Sequence, residues 1–224
     1  MGRKDQFADA VKDPSALTIN WAGGNDAGHL KAYDKASKEK VPKLDPMSFV
    51  VLGERNCVDG FLAMKGCGAG SNEVKNLATD ELTVNYWVDG KPQVLSKGLY
   101  ADIKGDMESQ GIKYHKVIYA MVVDSPDIAT GIIVKFMLKG AGAKAWFELK
   151  ANDKQGAVAL TGATDGQTGA VRYKIPSFEP KPLSEELDAQ AEVAYKEVEA
   201  YLESRDKPAV EEKPPELDDD CPFD

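Results

Sequence analysis

Between about residues 15 and 180, apolar side chains recur mainly at every second position and are interrupted by turn signals, which commits this stretch to strands with one buried face. The segments carrying the pattern are Ala16–Ala22, His29–Ala36, Met47–Glu54, Asp59–Lys65, Glu81–Val88, Gln93–Leu99, Tyr114–Val123, Thr130–Leu138, Val158–Ala163 and Ala170–Phe178. Asp89-Gly90 separates one pair of them, and Asp165-Gly166 with Gly169 separates another, so both pairs read as hairpins. Two short helical stretches break the period: Tyr100–Gln110, stopped by Gly111, and Ala141–Ala151, where Trp146 and Leu149 share a face. Many short strands with few helices favour a closed or partly closed barrel, because closure removes exposed strand edges. The expected fold class is therefore mainly β: an OB-fold-like barrel with added hairpins and short helices.

After Pro180 and Pro182 the pattern changes. Ser184 is a plausible N-cap, Glu185 and Glu186 suit a first helical turn, and Leu187, Ala191, Ala194, Val198 and Tyr201 recur at helical spacing. A C-terminal helix is expected from Ser184 to about Ser204. Beyond it, Lys207–Asp224 holds four prolines and seven acidic residues, too few apolar groups to bury, and reads as a disordered acidic tail. The organisation is thus a core at 1–183, a helix at 184–206 and a protein-interaction tail at 207–224.

Charge follows the same division. Residues 184–224 hold 15 acidic and 4 basic residues, a net of −11, whereas residues 1–183 hold 22 acidic and 24 basic, a net of +2. The overall −9 therefore hides a slightly basic core, and the asymmetry points to two pieces with different partners. No run of 18 apolar residues exists, and Met1–Asp5 leads into a mixed polar segment rather than an apolar signal core, so no membrane partner and a cytoplasmic location are expected.

Catalytic and metal signals are weak. Cys57, Cys67 and Cys221 are odd in number and lack CxxC spacing, and His29 and His115 are the only histidines, which argues against a disulfide framework or zinc site. Gly23–Gly28 ends in His29 rather than Lys-Ser, so it is no phosphate loop, and Gly66–Gly70 lacks the strand-to-helix context of a dinucleotide site. A Cys57 or Cys67 nucleophile with His115 has nothing fixing its geometry. The expectation is a non-enzyme without cofactor or metal.

The strand faces carry the binding signal. Lys31, Tyr33 and Lys35 alternate against Leu30 and Ala32, making a basic–aromatic–basic stripe. Trp87 stands on the polar face of its strand with Thr83 and Asn85; Tyr114 and Lys116 oppose Val117 and Tyr119; Arg172 and Lys174 alternate with Val171 and Tyr173. Arg55, Phe61 and Lys65 extend the set. Each lysine alone reads as a solvated surface group, but several basic and aromatic positions on adjacent strands suit a groove that neutralises phosphates and stacks bases.

The last residues, Glu216-Leu217-Asp218-Asp219-Asp220-Cys221-Pro222-Phe223-Asp224, resemble the acidic, Pro-Phe-ended tip of bacterial single-stranded DNA-binding proteins, with Cys221 at the apolar position and Asp224 carrying the chain carboxylate in place of Phe223. The layout of β-rich core, helix and acidic tail, together with the stretch from Leu99 to Val123, is similar to phage-encoded single-stranded DNA-binding proteins. The resemblance implies an OB-fold core that binds single-stranded DNA in phage replication, recombination and repair, working in the host bacterial cytoplasm. It also implies that Asp218, Asp219, Asp220, Pro222 and Phe223 dock replication and recombination proteins. The reading leaves room for a homodimer. Two rival classes stay open: an accessory factor of a nucleic-acid enzyme, such as an annealing or nuclease subunit, and a structural or virion interaction protein.

Overall fold

The computed structural model describes residues 11–24 and 28–206. The expected acidic tail, including Asp218, Asp219, Asp220, Pro222 and Phe223, lies outside the described residues.

Two long strands organise the rest: β4 (Ser48–Leu62) and β8 (Ile112–Asp124), paired antiparallel from Ser48–Asp124 to Gly60–Ile112. Before β4 come β1 (Leu17–Ala22), β2 (His29–Asp34) and β3 (Lys40–Leu44). Between β4 and β8 lie β5 (Cys67–Ser71), β6 (Leu82–Val88), β7 (Lys91–Gly98) and helix α1 (Tyr100–Ser109). After β8 follow β9 (Ile133–Leu138), helix α2 (Ala141–Glu148), β10 (Ala157–Thr168), β11 (Val171–Lys181) and helix α3 (Glu185–Asp206). All strands join one mixed sheet in the order β3-β2-β1-β9-β8-β4-β5-β6-β7, with β10 also on β4 and β11 on β10. The β1–β9 pair is parallel and every other strand pair is antiparallel. Gly24 forms a bridge to Tyr173, and the Lys174 N–H donates to the Gly23 carbonyl at 2.6 Å, which brings the end of β1 onto β11.

The mainly β expectation holds, and its departures have local causes. Met47–Glu54 and Asp59–Lys65 were expected as separate strands, but β4 runs through both. The polar residues between them keep the strand intact by finding partners: Asn56 Nδ2 donates to the Lys75 carbonyl at 2.9 Å, and Arg55 pairs with Asp206 at 3.1 Å. Asp89 and Gly90 both adopt positive φ, 49° and 77°, as a two-residue hairpin turn requires. In the second hairpin the turn falls at Gly169-Ala170, and Asp165-Gly166 lies inside β10. Gly166 pairs with Tyr173, and any Cβ there would strike the tyrosine ring, so the glycine serves ring packing rather than a turn. β5, Cys-Gly-Ala-Gly-Ser, was missed because its glycines read as loop.

β8 is buried on both faces. Ile118, Ala120 and Val122 face a core with Phe49, Phe136, Trp146 and Val158, and Val117, Tyr119 and Met121 face a second core closed by Ala191, Ala194, Val198 and Leu202 of α3. The helix therefore completes the sheet's packing. Its start is as expected: the Leu187 N–H donates to Ser184 Oγ at 3.3 Å, and Glu185, Glu186 and Asp188 occupy the first turn, where the helix dipole favours negative charge. No helix among the described residues is long and apolar enough to cross a membrane.

Because Leu202 is 6% exposed in this second core, Leu202→Ala should cost about 2–5 kcal/mol. Urea denaturation checks it through a lower midpoint at unchanged slope; an unchanged midpoint would mean that α3 does not close the core.

Candidate nucleic-acid interface

A cleft of about 560 Å³ opens where the end of β1, the start of β8, the end of β9 and the β10–β11 hairpin converge on α2. Trp21 and Tyr173 supply its aromatic wall, and Lys113, Lys139, Lys144 and Lys174 bring four cations against one lining carboxylate, Glu148. Trp21 is fixed by its indole N–H, which donates to the Lys174 carbonyl at 2.9 Å, and a Cβ added at Gly142 would lie 3.6 Å from ring atom Cδ1. Lys174 pairs with Asp165 at 2.7 Å, and that ion pair holds the Asp165 carboxyl below its ordinary pKa. Lys144 lies 3.9 Å from Glu148, one helical turn on, at the edge of what counts as an ion pair.

Beside the cleft stands an aromatic ladder. Tyr100 packs against Tyr114 with centroids 5.8 Å apart, and Tyr114 stacks on Phe147 at 6.5 Å and 19° between planes. The Tyr114 hydroxyl donates to Asn56 Oδ1 at 2.8 Å, and burial pushes its pKa well above the ordinary tyrosine value, so it stays neutral. Phe147 ends the ladder and is 56% exposed, leaving a ring face to solvent. On α2, Lys144 falls between Phe147 and the cleft by helical spacing.

Beneath this surface Glu54 gathers positive charge. Lys116 Nζ lies 2.7 Å from it, Lys154 Nζ 3.4 Å, and the Trp146 indole N–H donates at 3.1 Å. Burial alone would raise the Glu54 pKa, but the Lys116 hydrogen bond and charge, with Lys154 and Trp146, outweigh it and hold the carboxyl below 4.5. A second cluster joins Asp13, Lys35, Lys135 and Glu73. Burial acts to lower the Lys135 pKa, yet Glu73 and Asp13 together raise it above 10.5.

These clusters change where several expected contacts belong. Lys35 pairs with Asp13 at 2.6 Å and donates to Ser15 Oγ. Arg55 and Lys116 are buried, at 6% and 7% exposure, and their charges are used internally on Asp206 and Glu54. Lys116 was read as outward because only one face of β8 was expected to be buried. Lys31 and Tyr33 do point outward from β2, and the register Lys31–Asn20–Met137–Val117–Arg55 places them on the sheet face that α3 covers, but neither lines the cleft. Lys65 Nζ lies 3.8 Å from the Tyr86 ring centroid. Phe61 and Trp87 are exposed on β4 and β6, Tyr114 joins the ladder, Lys174 lines the cleft, and Arg172 neighbours it on the hairpin. The eleven residues thus do not form one groove.

The sequence reading missed Trp21, Lys113, Lys139, Lys144, Phe147 and Tyr173. Lys139, just past β9, and Lys144 and Phe147 on α2 stand at element ends and on a short helix, where strand alternation says nothing about direction; Tyr173 was assigned to the apolar set of its strand.

No protein-family model matches the chain, and neither curated proteins nor solved structures show a significant similarity to it.

The remaining reactive groups are constrained by burial. The Cys57 thiol is pushed up to about 12 by desolvation and by the Glu73 and Asp59 charges, which leaves little thiolate at neutral pH. Burial likewise lowers the pKa of His115 and raises that of neighbouring Asp59. Among the described residues no group of three or more His, Cys, Asp or Glu side chains is placed to hold a metal ion.

The Glu54 centre makes a pH prediction. A carboxyl whose folded pKa is depressed stabilises the fold above its unfolded value and loses that contribution as pH falls through the folded one. Stability should therefore drop on acidification below pH 4.5. Glu54→Gln should cost about 1–3 kcal/mol at neutral pH, because buried Lys116 loses its carboxylate, and should flatten the acid limb; thermal melts across acidic pH check both.

Proposed function

We propose that this chain binds single-stranded DNA with little sequence preference and without catalysing a reaction, in phage DNA replication, recombination and repair. The observation that carries the reading is the cleft whose four lysines stand beside the Trp21 and Tyr173 wall and the exposed end of the Phe147 ladder. Lysines neutralise phosphates, and open ring faces stack on any base.

Strand connectivity supports an OB-type barrel as the scaffold. β4, β8 and β9 form successive antiparallel pairs, α2 follows, and β10 and β11 return as a hairpin with β10 on β4. That is the chain order of five OB strands with a helix between the third and fourth; β1 fits between β9 and β11, reaching β11 through Gly24 and Tyr173. In such barrels oligonucleotides lie on the second and third strands between the first and last hairpin loops. Lys113 on β8, Lys139 after β9, and Thr168 and Tyr173 on the β10–β11 hairpin occupy that position.

The acidic C-terminal part has a separate role in this reading: it recruits replication and recombination proteins and competes with DNA for the same lysines. The net of −11 confined to residues 184–224 supports it.

Labelled oligothymidine titrated at several salt concentrations tests the proposal. The chain should bind, and Lys139→Ala should weaken binding and lower the slope of log affinity against log salt by about 0.7. Removing residues 207–224, which leaves α3 in place, should tighten binding; absence of binding at low salt in that shortened chain would refute the function.

A further inference from the structure

The outer face of β4, β5 and β6 carries a second feature. Phe61 is 60% exposed and Trp87 51% exposed, and no ring, cation or hydrogen-bond contact joins either side chain to the other described residues. Phe61 pairs with Gly68, and the β5–β6 register, Ala69 with Tyr86 and Gly70 with Asn85, continues one step to set Gly68 beside Trp87 on the same face. Two open rings therefore flank a strand that offers no side chain between them.

Strands in a sheet lie about 4.7–4.9 Å apart, so the Phe61 and Trp87 backbones stand about 10 Å from one another. Stacked ring centroids lie about 4.5–7 Å apart, so a ring–base–ring sandwich needs about 9–14 Å. The gap fits one planar base. The same face leads to the cleft: Asp59, two residues before Phe61, pairs with the cleft's Lys113.

We propose that the Phe61–Gly68–Trp87 slot is a base-binding subsite, in which a single unpaired nucleobase of a strand held by the lysine cleft is sandwiched between the two rings. This rests on the reading of the chain as a single-stranded DNA binder and adds to it a defined stacking position outside the cleft. Gly68 is the element that keeps the slot open. Its φ lies outside the left-handed region, and a Cβ on it would meet nothing nearer than the Gly60 carbonyl oxygen at 4.0 Å. A side chain at this position thus fills the slot without straining the fold.

Gly68→Val is the test, with Trp87→Ala as a second variant, in the full chain with labelled oligothymidine. Both should melt at or near the temperature of the parent protein and bind about 5- to 150-fold more weakly, the equivalent of one stacked base. Parent-level affinity in both variants, with the parent protein binding normally, overturns the slot and leaves the function standing. A parent protein that fails to bind overturns both. Loss of concentration-dependent self-association in Gly68→Val at unchanged DNA affinity also overturns it, because the rings would then serve a second copy of the chain.

Discussion

The β4–β8 ladder is the constraint on which everything else depends. Its two strands are long enough to serve three packing surfaces at once: the core around Phe49 and Trp146, the core closed by α3, and a third cluster around Val58, Leu82, Val84 and Ile112. Because side chains alternate, one register sends Ile118 and Ala120 into the core around Phe49 and Val117 and Tyr119 under the helix; a slip of one residue would exchange these sets and put each into the core shaped for the other. The same register puts Lys113 at the cleft and opposite Asp59, on the face that leads to Phe61.

Charge is partitioned by depth on this scaffold. Lys116, Arg55, Lys35 and Lys135 are engaged by carboxylates on or under the sheet and act as structural ions. A buried charge left without its partner is strongly destabilising, so these lysines and this arginine are tied to Glu54, Asp206, Asp13 and Glu73. At the cleft Lys113 and Lys139 sit at strand ends, where side chains can reach a backbone passing over the molecule, while Lys144 on α2 and Lys174 on β11 lie against the exposed carboxylates of Glu148 and Asp165. Total charge is thus a poor guide to local charge in this chain: its sign is set by the C-terminal part, while residues 1–183 hold a net of +2.

Much of the architecture was legible in the residues. Period-two alternation located most strands, the Asp89-Gly90 turn has the positive φ values its composition demands, and Ser184 caps α3. Alternation failed where both faces of a strand are covered, as at Lys116, and where glycine serves something other than a turn, as at Gly68 in β5 and at Gly166 under Tyr173. The cleft was illegible for a different reason. Trp21, Lys113, Lys139 and Tyr173 are far apart in sequence, and only the return of β11 to the end of β1 brings them together.

Ultraviolet cross-linking of oligothymidine to the full chain, followed by peptide mass spectrometry, tests the central claim most directly. Adducts are expected on peptides carrying Trp21, Phe147 and Tyr173, and on those carrying Phe61 and Trp87. Adducts confined to peptides carrying Tyr33 or Tyr195, with none on the cleft peptides or on those carrying Phe61 and Trp87, would contradict the account.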